Sequence, residues 1–390
     1  MQDTAVTLHL QKITVRHEFP VVFTRAVFSP RNRSLHAVLT RDGLSTRRRC
    51  LVLVDKGVLT TFPDLTAHIR QYFAAYSADL YLVRAPLVLP GGERIKQTPV
   101  AVRRILAALH RHNICRHSYC LAVGGGAFLD AAGFAAALFH RGVRHVRIPT
   151  TALAQCDSGV GVKNAINYAG TKNLLGTFAP PWAVLNDAAF LDALPQPLLL
   201  DGIAEAVKVA AIKDAVFFRA IERAAPRIRQ RHLPTIRRIL KRCALLHLDH
   251  IATSGDPFEL GTARPLDYGH WAAHKLEILS RHRLSHGQAV AIGIALDALY
   301  ASRIGLLPLK QAQRLIATLR TCGLPVWAPE LAQTDRRGRL LILSGLEEFR
   351  AHLGGQLTIT LPAPLGSRRE IHAVDTALMA SCLLGSALNN

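Results

Sequence analysis

The 390-residue sequence predicts an α/β fold: an N-terminal Rossmann-like domain with a parallel sheet, followed by a mainly α-helical metal-binding domain. Strand-like and helix-like segments alternate from about residue 45 to 190, and a triple glycine at 124–126 joins one such pair. After Pro-Gln-Pro at 195–197 the pattern changes to successive helices. We therefore predict domains at 1–192 and 193–390, with the cleft between them as the expected ligand site.

The elements of the first domain follow from short apolar runs bounded by glycine and charged residues. RCLVLVDKG indicates a buried strand that ends at Asp55, and SYCLAVGGG indicates a strand entering a glycine turn. The small-residue segment after that turn has the composition of a helix that packs closely on a sheet. The predicted strands are 49–57, 118–126, 143–151 and 182–187, and the predicted helices are 100–112 and 127–142.

The second domain is predicted to contain a series of helices and one strand near its C-terminal end. Apolar residues recur at helical spacing in six segments, and LTITL has the β-branched composition of a strand. The predicted helices are 200–213, 215–230, 234–250, 267–280, 286–304 and 308–321, and the predicted strand is 357–361.

The composition is that of an ordinary globular protein, with 49% hydrophobic and 19% charged residues. Apolar runs such as 131–139 are far shorter than the roughly 20 residues of a membrane span, so no membrane partner is expected. The N-terminus lacks a basic segment followed by an apolar core, so no signal peptide is expected. The 7 scattered cysteines contain no CxxC pair and fit reduced thiols in a cytoplasmic protein.

The formal net charge of +21 raises the possibility of nucleic-acid binding. Much of it is arginine spread through the chain, with one dense run at 227–242. No aromatic-interleaved basic motif accompanies the charge, so nucleic acid is an unlikely partner. A solvated helical face, with excess charge that also attracts anionic substrates, is the favoured interpretation.

Three histidines lie within seventeen residues in the C-terminal half. His270 and His274 are four residues apart and share a helical face, and His286 opens a second apolar run. Glu205, in GIAEAVK, offers a carboxylate from another predicted helix. Two or three imidazoles with one carboxylate make an open catalytic metal site, whereas a single helical histidine is more often structural. The glutamate of an HExxH metalloprotease motif is absent.

Two glycine-rich segments upstream could hold phosphate. GGGAFLD (124–130) lies between a strand and a helix, where free backbone N–H groups suit a pyrophosphate, although a tight turn explains it equally well. TTALAQCDSGVGVKNAINYAGTKNLLGTF (150–178) is predicted to be too irregular for a long regular element. Its polar residues suit a phosphate or sugar hydroxyls: Asp157, Lys163, Lys172 and Asn173. A metal site and a dinucleotide loop together indicate redox-assisted chemistry on a polyol.

From about residue 50 to 300 the chain resembles the sugar phosphate cyclases of the 3-dehydroquinate synthase superfamily. GGGAFLD is similar to the family's GGGxxxD, PTTALAQCDSGVGVKN to PTTLLAxxDSSxGGK, and TKNLLGTF to GKNLIGxF. GIAEAVK is similar to GxAExxK, and DYGHWAAHKLE followed by HG to NxGHTxGHAxE followed by HG. The resemblance implies a dehydroquinate synthase-like fold and an NAD- and metal-dependent lyase, a phosphate-eliminating cyclase.

The resemblance also implies a role for each matching residue. Zn²⁺ (or Co²⁺) would be bound by Glu205, His270 and His286. The NAD⁺ site would comprise Asp55, Glu93, Lys96, Gly125, Gly126, Asp130, Thr150, Thr151 and Lys172. The phosphorylated sugar would be held and processed by Asp157, Lys163, Asn173, Lys208, Asp267 and His274. Arg141 matches a family arginine that reaches the neighbouring subunit's phosphate, which implies a homodimer.

The departures from the family pattern bear on the substrate. In 3-dehydroquinate synthases a lysine, and an arginine four residues before the asparagine of NxGH, help hold the substrate carboxylate. Here the arginine position is Ala263, with Arg264 beside it, the asparagine position is Asp267, and His247 lies at about the lysine position. An aspartate would repel a carboxylate. GDPFE, PLDYGHW and AHKLE are similar to the branch that contains the ebo-cluster cyclases and relatives of 2-epi-5-epi-valiolone synthase.

The sequence therefore predicts conversion of a seven-carbon ketose phosphate without a carboxylate into a carbocycle. Transient NAD oxidation, phosphate elimination and intramolecular aldol closure would be the steps. A genuine 3-dehydroquinate synthase, with Arg264 and Arg350 recovering carboxylate binding, is the first alternative. A metal-dependent polyol dehydrogenase and a nucleic-acid-binding protein on a retired enzyme scaffold are the others.

Overall fold

The computed structural model describes residues 8–169, 171–258 and 265–384, which contain eleven strands. The strands are β1 Val21–Thr24, β2 Arg48–Asp55, β3 Leu80–Leu82, β4 Leu87–Leu89, β5 Tyr119–Gly124, β6 Arg144–Pro149, β7 Lys163–Tyr168, β8 Thr171–Phe178, β9 Ala183–Asp187, β10 Ile359–Pro362 and β11 Arg368–Ile371. Seven of them form one parallel sheet in the order β1-β9-β6-β5-β2-β3, with β4 also paired to β2. The predicted parallel sheet is confirmed.

Thirteen α-helices accompany the strands in the described ranges. They are α1 Ser34–Thr40, α2 Leu65–Ala75, α3 Val100–Arg111, α4 Gly126–Leu138, α5 Ala188–Ala193, α6 Gln196–Lys213, α7 Ala215–Arg229, α8 Leu233–Thr253, α9 His270–Leu279, α10 His286–Arg303, α11 Leu309–Cys322, α12 Ser344–His352 and α13 Thr376–Leu384. All six helices predicted after residue 195 are present. The short strands β1, β3, β4 and β11 and helices α1, α2, α5, α12 and α13 are not predicted by the sequence.

The central strands are buried on both faces, which explains their continuous apolar runs. In β2, Cys50, Val52 and Val54 pack on one side with α1 and α2. Leu51 and Leu53 pack on the other side with α3 and α4. Alternate residues of a strand therefore face helices on opposite sides of the sheet, as in a doubly wound fold. The carboxyl ends of the parallel strands lie at one edge of this sheet.

The C-terminal helices form a single large core around α10, which is buried on nearly all sides. The core also includes Ala152 and Cys156 from the N-terminal half. The boundary at 192/193 falls at the end of α5 and remains a prediction. Within the described ranges, no helix is both long and apolar enough to cross a bilayer.

One sequence prediction is wrong: the segment 150–178 is mostly regular. Ala154–Ser158 forms one turn of π-helix, and β7 and β8 form an antiparallel hairpin. Asn164 and Ile166 of β7 are buried while Lys163 and Tyr168 are exposed, so the strand is half-buried. Strand β8 is exposed along almost its whole length, so its sequence lacks the alternating apolar residues that predict a strand.

Candidate active site

The glycine turn between β5 and α4 forms a cradle at the carboxyl edge of the sheet. A Cβ atom at Gly124 would lie 2.7 Å from the ring of Phe128, and one at Gly126 would lie 2.5 Å from Ser158 Oγ. Gly125 is the N-cap of α4 and faces Thr151. The turn therefore excludes side chains at a helix N-terminus, where a pyrophosphate fits against the backbone.

Asp55 ends β2 beside this turn and is 7% exposed. Its Oδ1 accepts a hydrogen bond from Gly57 N at 2.8 Å, and a Cβ at Gly91 would overlap the carboxylate. Burial raises the pKa of Asp55, while the amides of Gly57 and Gly125 lower it. Thr150, also buried, joins this edge through its N–H to the Gly124 carbonyl at 3.0 Å.

Lys96 ties the turn at 93–96 to α4 and to the hairpin β7–β8. Its Nζ lies 2.7 Å from Asp130 Oδ2 and 2.5 Å from Asn173 Oδ1. Asn167, which the sequence analysis missed, donates to Glu93 at 3.1 Å and accepts from the Asn173 N–H at 2.9 Å. Glu93, Lys96 and Asp130, which are predicted for the cofactor, are therefore connected to Asn173, which is predicted for the substrate.

Glu205 on α6 meets the two predicted histidine ligands. Its Oε1 lies 3.5 Å from His286 Nε2 and 3.9 Å from His270 Nε2, and one ligand atom from each residue fits within 4.8 Å of the others. Glu205 is fully buried, and its Oε1 has no hydrogen-bond donor among the described residues. A carboxylate and two imidazole nitrogens facing one another in a buried pocket fit a divalent cation.

The second nitrogen of each histidine lies beside an acceptor oxygen. His270 Nδ1 donates to the Tyr268 carbonyl at 3.1 Å, and His286 Nδ1 lies 3.4 Å from Glu277 Oε1. Both Nε2 atoms consequently face Glu205, as in metal-bound histidines. Burial lowers the pKa of His286, but Glu205 and Glu277 outweigh it and raise the pKa to about 10.

Glu277 is a site residue that sequence reasoning missed. It also lies 3.2 Å from Lys172 Nζ, so it links the hairpin to helix α9. Its position seven residues after His270, two helical turns along the same face, is a signal that could have identified it.

A second charged group lies beside the metal cluster. Lys208, one turn after Glu205 on α6, forms an ion pair with Glu205 Oε2 and is buried. Asp157, on the π-helical turn, lies 2.9 Å from His247 Nδ1. Burial alone would raise the pKa of Asp157, but Lys208 and His247 hold it well below its usual range. Lys208 and Asp157 therefore carry opposite charges beside the metal cluster.

The remaining predicted residues divide into those near the cluster and those outside it. The His274 ring centroid lies 5.6 Å from that of His270, and burial, Lys172 and His286 lower the pKa of His274 to about 4. Asp267 is close enough to influence both His274 and Lys208. Lys163 begins β7, where its carbonyl accepts from Arg147 at 3.0 Å.

Arg141 is exposed beyond the end of α4 and makes no hydrogen bond or ion pair within the described residues. Its role at a neighbouring subunit's phosphate stays a prediction. Ala263 and Arg264, which bear on the carboxylate, lie outside the described residues.

Several known proteins are similar to this chain in both sequence and fold. The family models described as 3-dehydroquinate synthase N-terminal and C-terminal match residues 86–200 and 202–340. A 2-epi-5-epi-valiolone synthase from an Actinoplanes species is 34% identical over 352 residues, covering 88% of this chain and 84% of the relative. A 3-dehydroquinate synthase from Pelobacter propionicus is 36% identical over 333 residues, covering 78% of this chain and 90% of that protein.

Among solved structures, ValA, the 2-epi-5-epi-valiolone synthase of Streptomyces hygroscopicus subsp. jinggangensis, superposes with a TM-score of 0.82. It is 27% identical and covers 97% of this chain and 98% of its own, and that structure holds NAD⁺ and Zn²⁺. The chain belongs to the 3-dehydroquinate synthase family of sugar phosphate cyclases, in the branch that resembles the 2-epi-5-epi-valiolone synthases.

Proposed function

We propose that this protein is a zinc- and NAD⁺-dependent cyclase that converts a heptulose 7-phosphate without a carboxylate into a carbocycle. The observation that carries the proposal is the buried cluster of Glu205, His270 and His286 beside the glycine cradle at 124–126. The overlap with a 2-epi-5-epi-valiolone synthase along nearly the whole chain supports the substrate class.

Glu205, His270 and His286 would hold the metal ion, zinc or cobalt, and leave positions open for the substrate. When bound there, the ion lowers the pKa of a coordinated substrate hydroxyl. The glycine cradle and Asp55 would hold NAD⁺, which takes a hydride and later returns it, so that turnover shows no net redox change. The other predicted cofactor residues are Glu93, Lys96, Gly125, Gly126, Asp130, Thr150, Thr151 and Lys172.

The substrate's phosphate would bind to Lys163, Asn173 and His274. Oxidation of a substrate hydroxyl acidifies the adjacent C–H, and phosphate then leaves, with one of its own oxygens helping to remove that proton. Elimination would leave an unsaturated ketone, and return of the hydride would restore its hydroxyl group. The enol ether that remains would open the ring to an enolate, whose intramolecular aldol addition closes the carbocycle. Asp157 and Lys208 would orient hydroxyls and move protons during these steps, since both charges are fixed beside the metal cluster.

The charges around the pocket support a substrate without a carboxylate. Asp267 adds a negative charge next to His274 and Lys208, which would repel a substrate carboxylate. His247 lies at about the position of the family's lysine, but its imidazole contacts the Asp157 carboxylate. These two observations favour a heptulose phosphate over a heptulosonate phosphate.

A genuine 3-dehydroquinate synthase is the second candidate, favoured by the 36% identity to the Pelobacter propionicus enzyme. The deciding assay supplies purified protein with zinc, NAD⁺ and either sedoheptulose 7-phosphate or 3-deoxy-arabino-heptulosonate 7-phosphate, and follows inorganic phosphate and NADH. We expect phosphate release from the first substrate without NADH accumulation. Phosphate release from the carboxylated sugar alone would overturn the proposal, and stoichiometric NADH would indicate a polyol dehydrogenase.

We also propose a cytoplasmic homodimer in which Arg141 reaches the neighbouring subunit's phosphate site. The exposed position of Arg141 beyond α4, with no ion-pair partner in the described chain, supports this arrangement. Sedimentation would give the oligomeric state. Mixing inactive Arg141→Ala and inactive Glu205→Gln subunits should restore activity if each site uses the arginine of its neighbour, and a monomer would exclude it.

A further inference from the structure

We propose that His247 is a positioning residue that acts through Asp157, and that it does so with its Nδ1 atom. The inference rests on the proposed function, in which Asp157 contacts the substrate. His247 Nδ1 lies 2.9 Å from Asp157 Oδ1, and the two side chains are only 12% and 19% exposed. The contact joins α8 to the π-helical turn across 90 residues of sequence, so no local pattern predicts it.

The backbone around this contact is held by apolar packing. Helix α8 packs against the turn Ala154–Ser158, and Ala244 lies in a small buried cluster with Val160. Leu248, the residue after His247, packs against the same cluster. Since both sides of the contact are anchored, the imidazole approaches Asp157 in one fixed orientation.

The opposite nitrogen of the ring lies beside the segment that carries Asp157. A Cβ atom at Gly161 would lie 3.5 Å from His247 Nε2, so this nitrogen faces the backbone of the same segment that carries Asp157. The ring therefore stands between Asp157 and Gly161. This position assigns His247 the task of orienting Asp157.

Asp157 needs such an orienting partner because of Lys208. The Lys208 ammonium group interacts with both Glu205 and Asp157. An Asp157 carboxylate that rotated freely would turn toward this buried cation and away from a substrate hydroxyl. The His247 Nδ1 atom, held 2.9 Å from Oδ1, fixes the carboxylate plane by this contact and leaves the second oxygen available to the substrate.

Two substitutions distinguish the role of His247 Nδ1 from that of Nε2. The amide nitrogen of His247→Asn would lie near the position of Nδ1 and keep a nitrogen beside Asp157, whereas that of His247→Gln would lie near Nε2 and would not. We expect His247→Gln to lower kcat for phosphate release from the heptulose phosphate about 100-fold with KM changed only a few-fold, and His247→Asn to retain activity within about tenfold. His250→Gln, one turn further on α8, is the matched control and should leave kcat unchanged.

A double-substitution cycle tests whether His247 acts only through Asp157. Asp157→Asn combined with His247→Gln should be no slower than Asp157→Asn alone. Crystal structures provide a readout without turnover: the Asp157 carboxylate should rotate in His247→Gln and keep its position in His247→Asn. Equal kcat in the two His247 variants, additive losses in the cycle, or an unmoved carboxylate in His247→Gln would overturn the inference. Absence of turnover by the unsubstituted protein would instead refute the proposed function, and the crystal structures would still decide the role of His247.

Discussion

Glu205 is the residue on which the candidate metal site depends. It is fully buried, its Oε1 lacks a donor among the described residues, and two imidazole nitrogens face it. A buried carboxylate in this state is costly unless a cation compensates it. Lys208 supplies part of that compensation through its ion pair with Glu205, and a divalent cation would supply the rest.

The two helical histidines should respond differently to alanine. His270→Ala removes a ligand, and we expect loss of bound zinc and a fall in activity of about three orders of magnitude. His274→Ala should keep the metal but raise KM about 10- to 100-fold, because one charge-assisted hydrogen bond to the phosphate is lost. Metal analysis of both purified variants, with steady-state kinetics, checks this. Loss of zinc in His274→Ala, or full zinc in His270→Ala, would contradict the assignment.

Glu277 should tune the metal without binding it. Its carboxylate lies 3.4 Å from His286 Nδ1, so Glu277→Gln weakens the support of one ligand. We expect zinc affinity to fall about 10- to 100-fold, as for other residues that hold ligating imidazoles. Competition with a chelator of known affinity measures it. Glu348→Gln, an exposed carboxylate that pairs with Lys275 on the same helix α9, is the control and should leave zinc affinity unchanged.

At the scale of elements, the first turn of α9 is fixed by a buried acid on α10. Asp297 is fully buried and accepts hydrogen bonds from Gly269 N at 3.1 Å and Trp271 Nε1 at 2.8 Å, on either side of His270. Burial raises the pKa of Asp297 from 3.8 to about 7, although its two donors lower it. The position of His270, the candidate metal ligand, therefore depends on a contact between two helices.

Asp297 should make stability depend on pH. Because the pKa of Asp297 is higher in the folded state, the folded protein binds more protons between about pH 4 and about pH 7, and stability falls as pH rises through that window. Asp297→Asn should lack this component and lose about 1–3 kcal/mol at pH 5, since an amide can accept only one of the two hydrogen bonds well. Urea unfolding at pH 5 and pH 7 should show a smaller difference between the two proteins at pH 7. A pH-independent difference would contradict the argument, and Asp64→Asn on the surface is the control.

The hairpin β7–β8 shows where element prediction from sequence fails. The sequence identified Asp157, Lys163, Lys172 and Asn173 as site candidates, yet the antiparallel pairing was missed. Strand β8 is exposed and carries no alternating apolar pattern, so its conformation depends on its partner strand and on contacts with Lys96 and Glu277.

At the scale of the whole molecule, the net charge of +21 should steer anionic substrates toward the site. We expect kcat/KM for the phosphorylated sugar to fall roughly tenfold as ionic strength rises from low to physiological values, with kcat nearly unchanged. Steady-state kinetics across a salt series checks this. An invariant kcat/KM would show that the excess charge does not act on the substrate.

The sequence by itself determined the fold class, the order of the central elements and the candidate ligands Glu205, His270 and His286. Helical and strand periodicity is local, and the ordered motifs are specific to the family. Only the tertiary structure revealed that Glu277 supports His286, that Asp297 fixes the start of α9, and that His247 meets Asp157. These contacts join residues on different elements, and a side chain's long-range partner depends on packing that no local pattern encodes.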